Sequence, residues 1–117
     1  MERDRAEHFA AEWYTSWNAH DLEAILEHYA DDVVMTSPLV SLLTGGEETG
    51  LSGKEALRAY FAAGLERLPD LHFEPIELFV GVDSLVMYYR RIGGPVTAEM
   101  VVLGADGKVT QYHAHYA

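Results

Sequence analysis

Ala6, Phe9, Ala10, Trp13 and Trp17 recur at three- and four-residue intervals, while Arg5, Glu7, Glu12 and Ser16 fall between them. That period predicts an amphipathic helix over residues 3–18 with an aromatic inner stripe. Asp21 is placed to cap a short second helix that turns Leu22, Ile25, Leu26 and Tyr29 inward and ends before Asp31 and Asp32. Val33, Val34 and Met35 read as a short strand, and residues 38–51, with Pro38, Gly45, Gly46 and Gly50, as a long loop. Ser52-Gly53-Lys54-Glu55 has the form of a capping box and opens a third helix that stops at Pro69. Its buried stripe is Leu57, Tyr60, Phe61, Gly64, Leu65 and Leu68. Three or four consecutive strands follow, over 71–80 with a break at Pro75, then 84–92, 95–103 and 108–116.

The hairpin turns predict which residues share a face, because a register fixes the residues opposite one another. A two-residue turn at Gly93-Gly94 pairs Ile92 with Pro95 and sets Arg90 opposite Thr97, Tyr88 opposite Glu99, and Val86 opposite Val101. A four-residue connection around Ala105-Asp106-Gly107 sets Val101 opposite Thr110, Glu99 opposite Tyr112, and Thr97 opposite Ala114. One face then holds Val86, Tyr88, Arg90, Thr97, Glu99, Val101, Thr110, Tyr112, Ala114 and Tyr116. The other holds Leu85, Met87, Tyr89, Arg91, Val96, Ala98, Met100, Val102, Val109, Gln111, His113 and His115. Both carry too much apolar area for open water, and three helices cover only one. The helices are therefore expected over a cavity on the first face, with a second copy of the chain on the outer face as a homodimer.

Composition narrows the partners. The 117 residues carry 8 Lys plus Arg against 19 Asp plus Glu, a net charge of −11, and 49% are hydrophobic. This suits one domain over 1–117 with a packed core. The acidic balance argues against nucleic acid and against anionic membrane surfaces, both of which select clustered cations. With no cysteine there is no disulfide, thiolate metal site or cysteine nucleophile. No apolar run reaches the roughly 20 residues of a membrane span, and Met1-Glu2-Arg3-Asp4-Arg5 does not lead into a signal-like apolar segment, so a cytoplasmic location is expected.

Four stretches carry a family resemblance: Trp17-Asn18-Ala19-His20-Asp21-Leu22-Glu23, Tyr29-Ala30-Asp31-Asp32-Val33, Ser52-Gly53-Lys54-Glu55-Ala56-Leu57 and Asp106-Gly107-Lys108-Val109. They are similar to W-N-A-G-D-L-D, Y/F-A-D-D-A/V, x-G-R/K-E-A-I/L and D-G-K-I of the nuclear transport factor 2-like superfamily. Together with the element order, the chain resembles its SnoaL-like and ketosteroid-isomerase-like branch. The resemblance implies a cone-shaped α+β fold, with three N-terminal helices packed on a curved, mostly antiparallel sheet that encloses a pocket. It implies no single activity, since the superfamily hosts isomerases, cyclases, dehydratases, epoxide hydrolases and binding proteins. The isomerases place a general-base Asp before a Pro after the first strand, where this chain has Ser37 before Pro38. Their oxyanion donors, a helix-one Tyr and a protonated Asp on the penultimate strand, correspond to Trp13 and Glu99. The cyclases' H-W-D on the last strand becomes Tyr112-His113-Ala114, and the Arg that epoxide hydrolases carry two residues before their acid becomes Thr97.

Glu99 is the leading candidate for chemistry: beneath the helices, a carboxyl is pushed toward its neutral form and can donate to a developing oxyanion or accept a proton beside a carbonyl. The bland alternative is a structural ion pair with Arg90, diagonal to it. Tyr88 and Tyr112 are candidate oxyanion donors, and Tyr116 a further hydroxyl, against the alternative of packing. Trp13, Trp17, Met35, Ser37, Tyr60, Arg90, Val101, Ala114 and Tyr116 are the expected lining of a slot for a hydrophobic, carbonyl-bearing small molecule. Proton-transfer chemistry without a cofactor (isomerisation, cyclisation or dehydration) is one expectation, and non-catalytic binding or a dimeric interaction module the other. His113-x-His115 has metal-like spacing but faces Ala98 and Val96, which supply no third ligand, so no metal is expected. Gly45-Gly46 through Gly53-Lys54 fails as a phosphate loop, because Glu48 and Glu55 stand where a Gly and a Ser or Thr are needed. Leu39, Val40, Leu42 and Leu43 instead suggest an apolar lip over the pocket mouth, suited equally to covering a hydrophobic guest or to packing across the dimer.

Overall fold

The computed structural model describes residues 1–43 and 45–117, with Leu43 described in its backbone alone; the expected contribution of the Leu43 side chain to the lip lies outside the described residues. Helix α1 spans Arg3–Asn18 and buries Ala6, Phe9, Ala10, Trp13 and Trp17, the stripe expected from its period; Tyr14 is buried with them, and so is Ser16, which was expected on the outer side. Helix α2 spans Leu22–Leu26, and the Asp21 carboxylate caps it by accepting from the Ala24 N–H at 3.1 Å. Between them His20 adopts a left-handed φ of 56°. Glycine suits that conformation, and the resembling motif has glycine there. Here the His20 ring is fixed instead by a 2.7 Å hydrogen bond with the Leu71 carbonyl. Asn18 also exchanges two hydrogen bonds with the Phe73 backbone, at 3.1 and 2.8 Å, which ties the end of α1 to the entry of the sheet.

Strand β1 spans Tyr29–Thr36, β2 Gly50–Ser52, β3 Phe73–Val80, β4 Ser84–Arg91, β5 Val96–Leu103 and β6 Val109–Tyr116. They form one sheet in the order β2-β1-β6-β5-β4-β3, antiparallel throughout except for the parallel β1–β6 pair. The expected break at Pro75 is a register shift between Pro75 and Glu77. Two further helices complete the fold among the described residues: α3, Pro38–Leu43, and α4, Lys54–Arg67. The fold is the expected α+β arrangement, with α1, α2 and α4 as its three main helices and α3 added where a loop was expected.

Two local expectations are corrected. Helix α3 forms because Ser37 and Pro38 make a helix start: the Ser37 hydroxyl accepts from the Leu39 N–H at 3.2 Å, and proline fits the first helical position. The capping box does not form. Ser52 is the last residue of β2, and α4 begins at Lys54 after Gly53, whose φ of 92° makes the sharp strand-to-helix corner without a side-chain cap.

The sheet register also departs from expectation. Tyr88 pairs with Ala98, Met87 with Glu99, and Tyr89 with Thr97, one residue away from the predicted hairpin. A two-residue turn needs an N–H on the residue that follows Gly94, and proline has none. The turn bond is made one residue earlier, from the Gly94 N–H to the Arg91 carbonyl at 2.8 Å. Every β4 side chain is thereby moved to the other face. In the β5–β6 hairpin the faces are as predicted, but the pairing shifts by two, so that Glu99 lies opposite Ala114 and Val101 opposite Tyr112.

Candidate active site

The corrected inner face carries Leu85, Met87 and Tyr89 from β4, Thr97, Glu99 and Val101 from β5, and Tyr112 and Ala114 from β6, all buried beneath the helices. A cavity of about 680 Å³ lies between this face and α1, α3 and α4. Its walls are aromatic: Trp17 and Phe61 form a T-shaped pair with ring centroids 4.8 Å apart, Phe61 leans on Tyr112, and Phe73 packs on Tyr89 with centroids 4.3 Å apart. Leu39 and Leu42 of α3 close one side, with Leu42 76% exposed at the outer end.

Glu99 is the one carboxylate side chain among the described residues that line this cavity. It is 1% exposed, and its Oε1 accepts a 2.8 Å hydrogen bond from the Tyr89 hydroxyl. Its Oε2 is buried and has no hydrogen-bond partner among the described residues. Burial pushes the Glu99 carboxyl up to about 7, against the opposing pull of the Tyr89 and Tyr112 hydroxyls, which favour its ionised form. Six of the seven tyrosines sense its charge: Tyr14, Tyr29, Tyr60, Tyr89, Tyr112 and Tyr116 are all raised, chiefly by burial and further by Glu99. They are therefore neutral hydroxyl donors near neutral pH. A carboxyl that is part protonated at neutrality, with one oxygen held and the other free, can give a hydrogen bond or proton to a carbonyl oxygen or take a proton from an adjacent carbon.

The expected site residues fall into three groups. Glu99, Tyr112, Trp17, Met35, Tyr60 and Tyr116 line the cavity. Trp13, Ser37, Val101 and Ala114 are buried behind its walls. Trp13 stacks on Phe73 at 5.6 Å and donates its indole N–H to the Tyr29 hydroxyl at 3.0 Å, so it is core packing. Ser37 sits at the foot of α3, where its hydroxyl partly offsets the rise that burial imposes on Tyr60 and Tyr116. Tyr88 and Arg90 are on the outer face, a consequence of the one-residue shift at Pro95. Tyr89 and Arg91 line the cavity in their place. Arg90 makes no ion pair with Glu99. The missing amide hydrogen of Pro95 was the signal that would have found Tyr89. Phe73, Thr97, Arg67 and Leu71 also line the cavity and went unassigned.

His113 and His115 lie on the outer face as expected. His113 hydrogen-bonds Thr36 Oγ1 at 2.6 Å, and no group of three His, Asp or Glu side chains converges on a metal position among the described residues.

Residues 10–116 match the model of the SnoaL-like domain. The chain belongs to that family. A SnoaL-like protein of unknown function from Burkholderia thailandensis E264 is 43% identical, superposes with a TM-score of 0.95, and covers 100% of this chain and 98% of its own. More distant structures share the fold. The epoxide hydrolase/cyclase-like enzyme SalBIII, with its role in pyran ring formation in the polyether salinomycin, has 18% identity and a TM-score of 0.80, covering 99% and 93% of the two chains. A putative polyketide cyclase from Sinorhizobium meliloti has 17% identity and a TM-score of 0.74, covering 92% and 94%. No curated protein matches. This SnoaL-like chain has no helix long and apolar enough to cross a membrane among the described residues.

The raised Glu99 has a stability consequence with a definite sign. Below its ordinary value of 4.5, folded and unfolded chains both hold the proton. Between 4.5 and about 7 only the folded chain holds it, so stability falls as pH rises, and above about 7 the loss is complete. At about 1.4 kcal/mol per pH unit the full loss is of order 3 kcal/mol. Glu99→Gln, neutral and still able to accept from Tyr89, removes this dependence. Urea denaturation is expected to show the variant equal to wild type within about 1 kcal/mol at pH 4.5 and more stable by about 2–3 kcal/mol at pH 8.5.

Proposed function

We propose that this protein binds a hydrophobic, carbonyl-bearing small molecule in the cavity and transfers a proton to or from it through Glu99. The observation that supports this most is the free, buried Oε2 of a carboxyl poised near pH 7 on the wall of an aromatic cavity. A volume of about 680 Å³ suits a molecule of two to four rings. In the reaction, a ligand carbonyl accepts a hydrogen bond from protonated Glu99, or ionised Glu99 removes a proton beside that carbonyl. The Tyr89 hydroxyl steadies the carboxyl in both states, and Tyr112 adds a neutral donor. Isomerisation, cyclisation and dehydration all fit this single acid–base group.

Non-catalytic binding is the second reading. It is favoured by Ser37, which stands where related isomerases place their base, and by the lack of a second carboxylate on the cavity wall among the described residues. A titration against polycyclic ketones, followed by Trp17 fluorescence with mass analysis of each ligand, separates the two. Saturable quenching with an altered ligand is expected, and Glu99→Gln should lower turnover by about 10²–10⁴-fold. Turnover unchanged in the variant would remove Glu99 from the chemistry; an intact ligand would select the binding reading.

We also propose a homodimer through the outer sheet face. Val34, Ile76 and Phe79 are exposed there, beside half-buried Val86, Tyr88, Ala98, Met100 and Val102. Five eight-residue strands present roughly 600 Å², approaching the ~800 Å² per partner of a stable interface. Light scattering should give about twice the 13.1 kDa chain mass, and Phe79→Glu should lower it toward one. A wild-type monomer at micromolar concentration would contradict the proposal.

A further inference from the structure

The cavity is apolar in its depth but cationic at its rim. Arg67, exposed on the last turn of α4, and Arg91, at the end of β4, both line it. The ion pairs of the described residues use Arg3, His8, Lys54 and Arg58. Neither Arg67 nor Arg91 joins them, and neither side chain donates a hydrogen bond within the described chain. In a protein with 19 acidic and 8 basic residues, two arginines on the lining of one cavity that make no ion pair among the described residues are a local excess of positive side-chain charge. The Arg91 side chain is also seated. It lies across its own hairpin turn against Gly94, where a Cβ would collide with the guanidinium. Four residues of β4 separate Arg91 from Met87, the partner of Glu99 across the ladder, or about 13 Å of strand.

We infer that the ligand of this cavity is an amphiphilic acid: an apolar body with a carbonyl at its inner end, near Glu99, and a carboxylate at its outer end, held by Arg91 and Arg67. This rests on the proposed cavity function and names its ligand class. A guanidinium fork is suited to a carboxylate, and a site at the lip of a low-dielectric cavity strengthens the pairing. Without the two arginines the net charge of −11 would repel an acid.

The test is calorimetric titration with matched pairs. 6-Acetyl-2-naphthoic acid, rigid with its ketone and carboxylate at opposite ends, is compared with its methyl ester; 10-oxoundecanoic acid and its methyl ester form a flexible pair. Wild type is expected to bind the acid of at least one pair about five- to tenfold more tightly than the ester. Arg67→Gln combined with Arg91→Gln should abolish that preference while leaving ester affinity within about twofold. Gly94→Ala, which displaces the Arg91 guanidinium without removing it, should reduce the preference part-way. Arg3→Gln combined with Arg5→Gln, the same loss of two positive charges away from the cavity, should leave it intact. Equal binding of acid and ester by wild type, or a preference that survives loss of both arginines, would overturn this inference and leave the cavity reading standing. Failure of all four compounds to bind would overturn both.

Discussion

A single carboxyl group buried among aromatic rings sets the terms for the rest of this structure. Glu99 lies at 1% exposure with one oxygen held by Tyr89 and the other without a hydrogen-bond partner among the described residues. Removing a carboxylate from water is costly unless it is paired, and no cation of the described residues pairs with this one. Near neutrality the group relieves the cost by keeping its proton for much of the time. The surrounding tyrosines follow the same logic, since a buried phenol beside a part-charged acid stays a hydroxyl. The result is an interior made of neutral donors around one group that changes charge near pH 7. That is a condition for proton transfer as well as for recognition of a carbonyl.

Alternation along β4 divides its side chains between the cavity and the outer face. Tyr89 and Arg91 face the cavity; Tyr88 and Arg90, adjacent in sequence and identical in type, face outward. Both duplicated pairs, Tyr-Tyr and Arg-Arg, are ambiguous in composition, so only the register decides which copy serves which face. Pro95 makes that decision by withholding an amide hydrogen from the two-residue turn.

Much of this was legible in the sequence. The helical period of α1, the Asp21 cap and the strand run are local features, and local geometry fixes them. The Trp17–Glu23 and Asp106–Val109 motifs pointed to the SnoaL-like family. Glu99 and Tyr112 were placed on the inner face because a two-residue slip in the β5–β6 register preserves the face, whereas the one-residue slip at β4 does not. Trp13 was read as cavity wall because periodicity gives the inner side of a helix but not the depth at which a ring stops. Helix α3 was hidden by the glycines after it, although Ser37-Pro38 carried a recognisable start. The placement of two arginines on one cavity could not be seen at all, since Arg67 and Arg91 come from different elements and line the same cavity only in three dimensions.

The titration of Glu99 near neutrality follows from its burial with one oxygen free of a hydrogen-bond partner among the described residues. It is tested most directly by carbon-13 NMR of glutamate side-chain carboxyls, with the Glu99 resonance assigned from the spectrum of Glu99→Gln. The account predicts that this one resonance titrates with a midpoint near pH 7. A midpoint near the ordinary 4.5 would mean that the carboxyl is solvated or paired, and would contradict it.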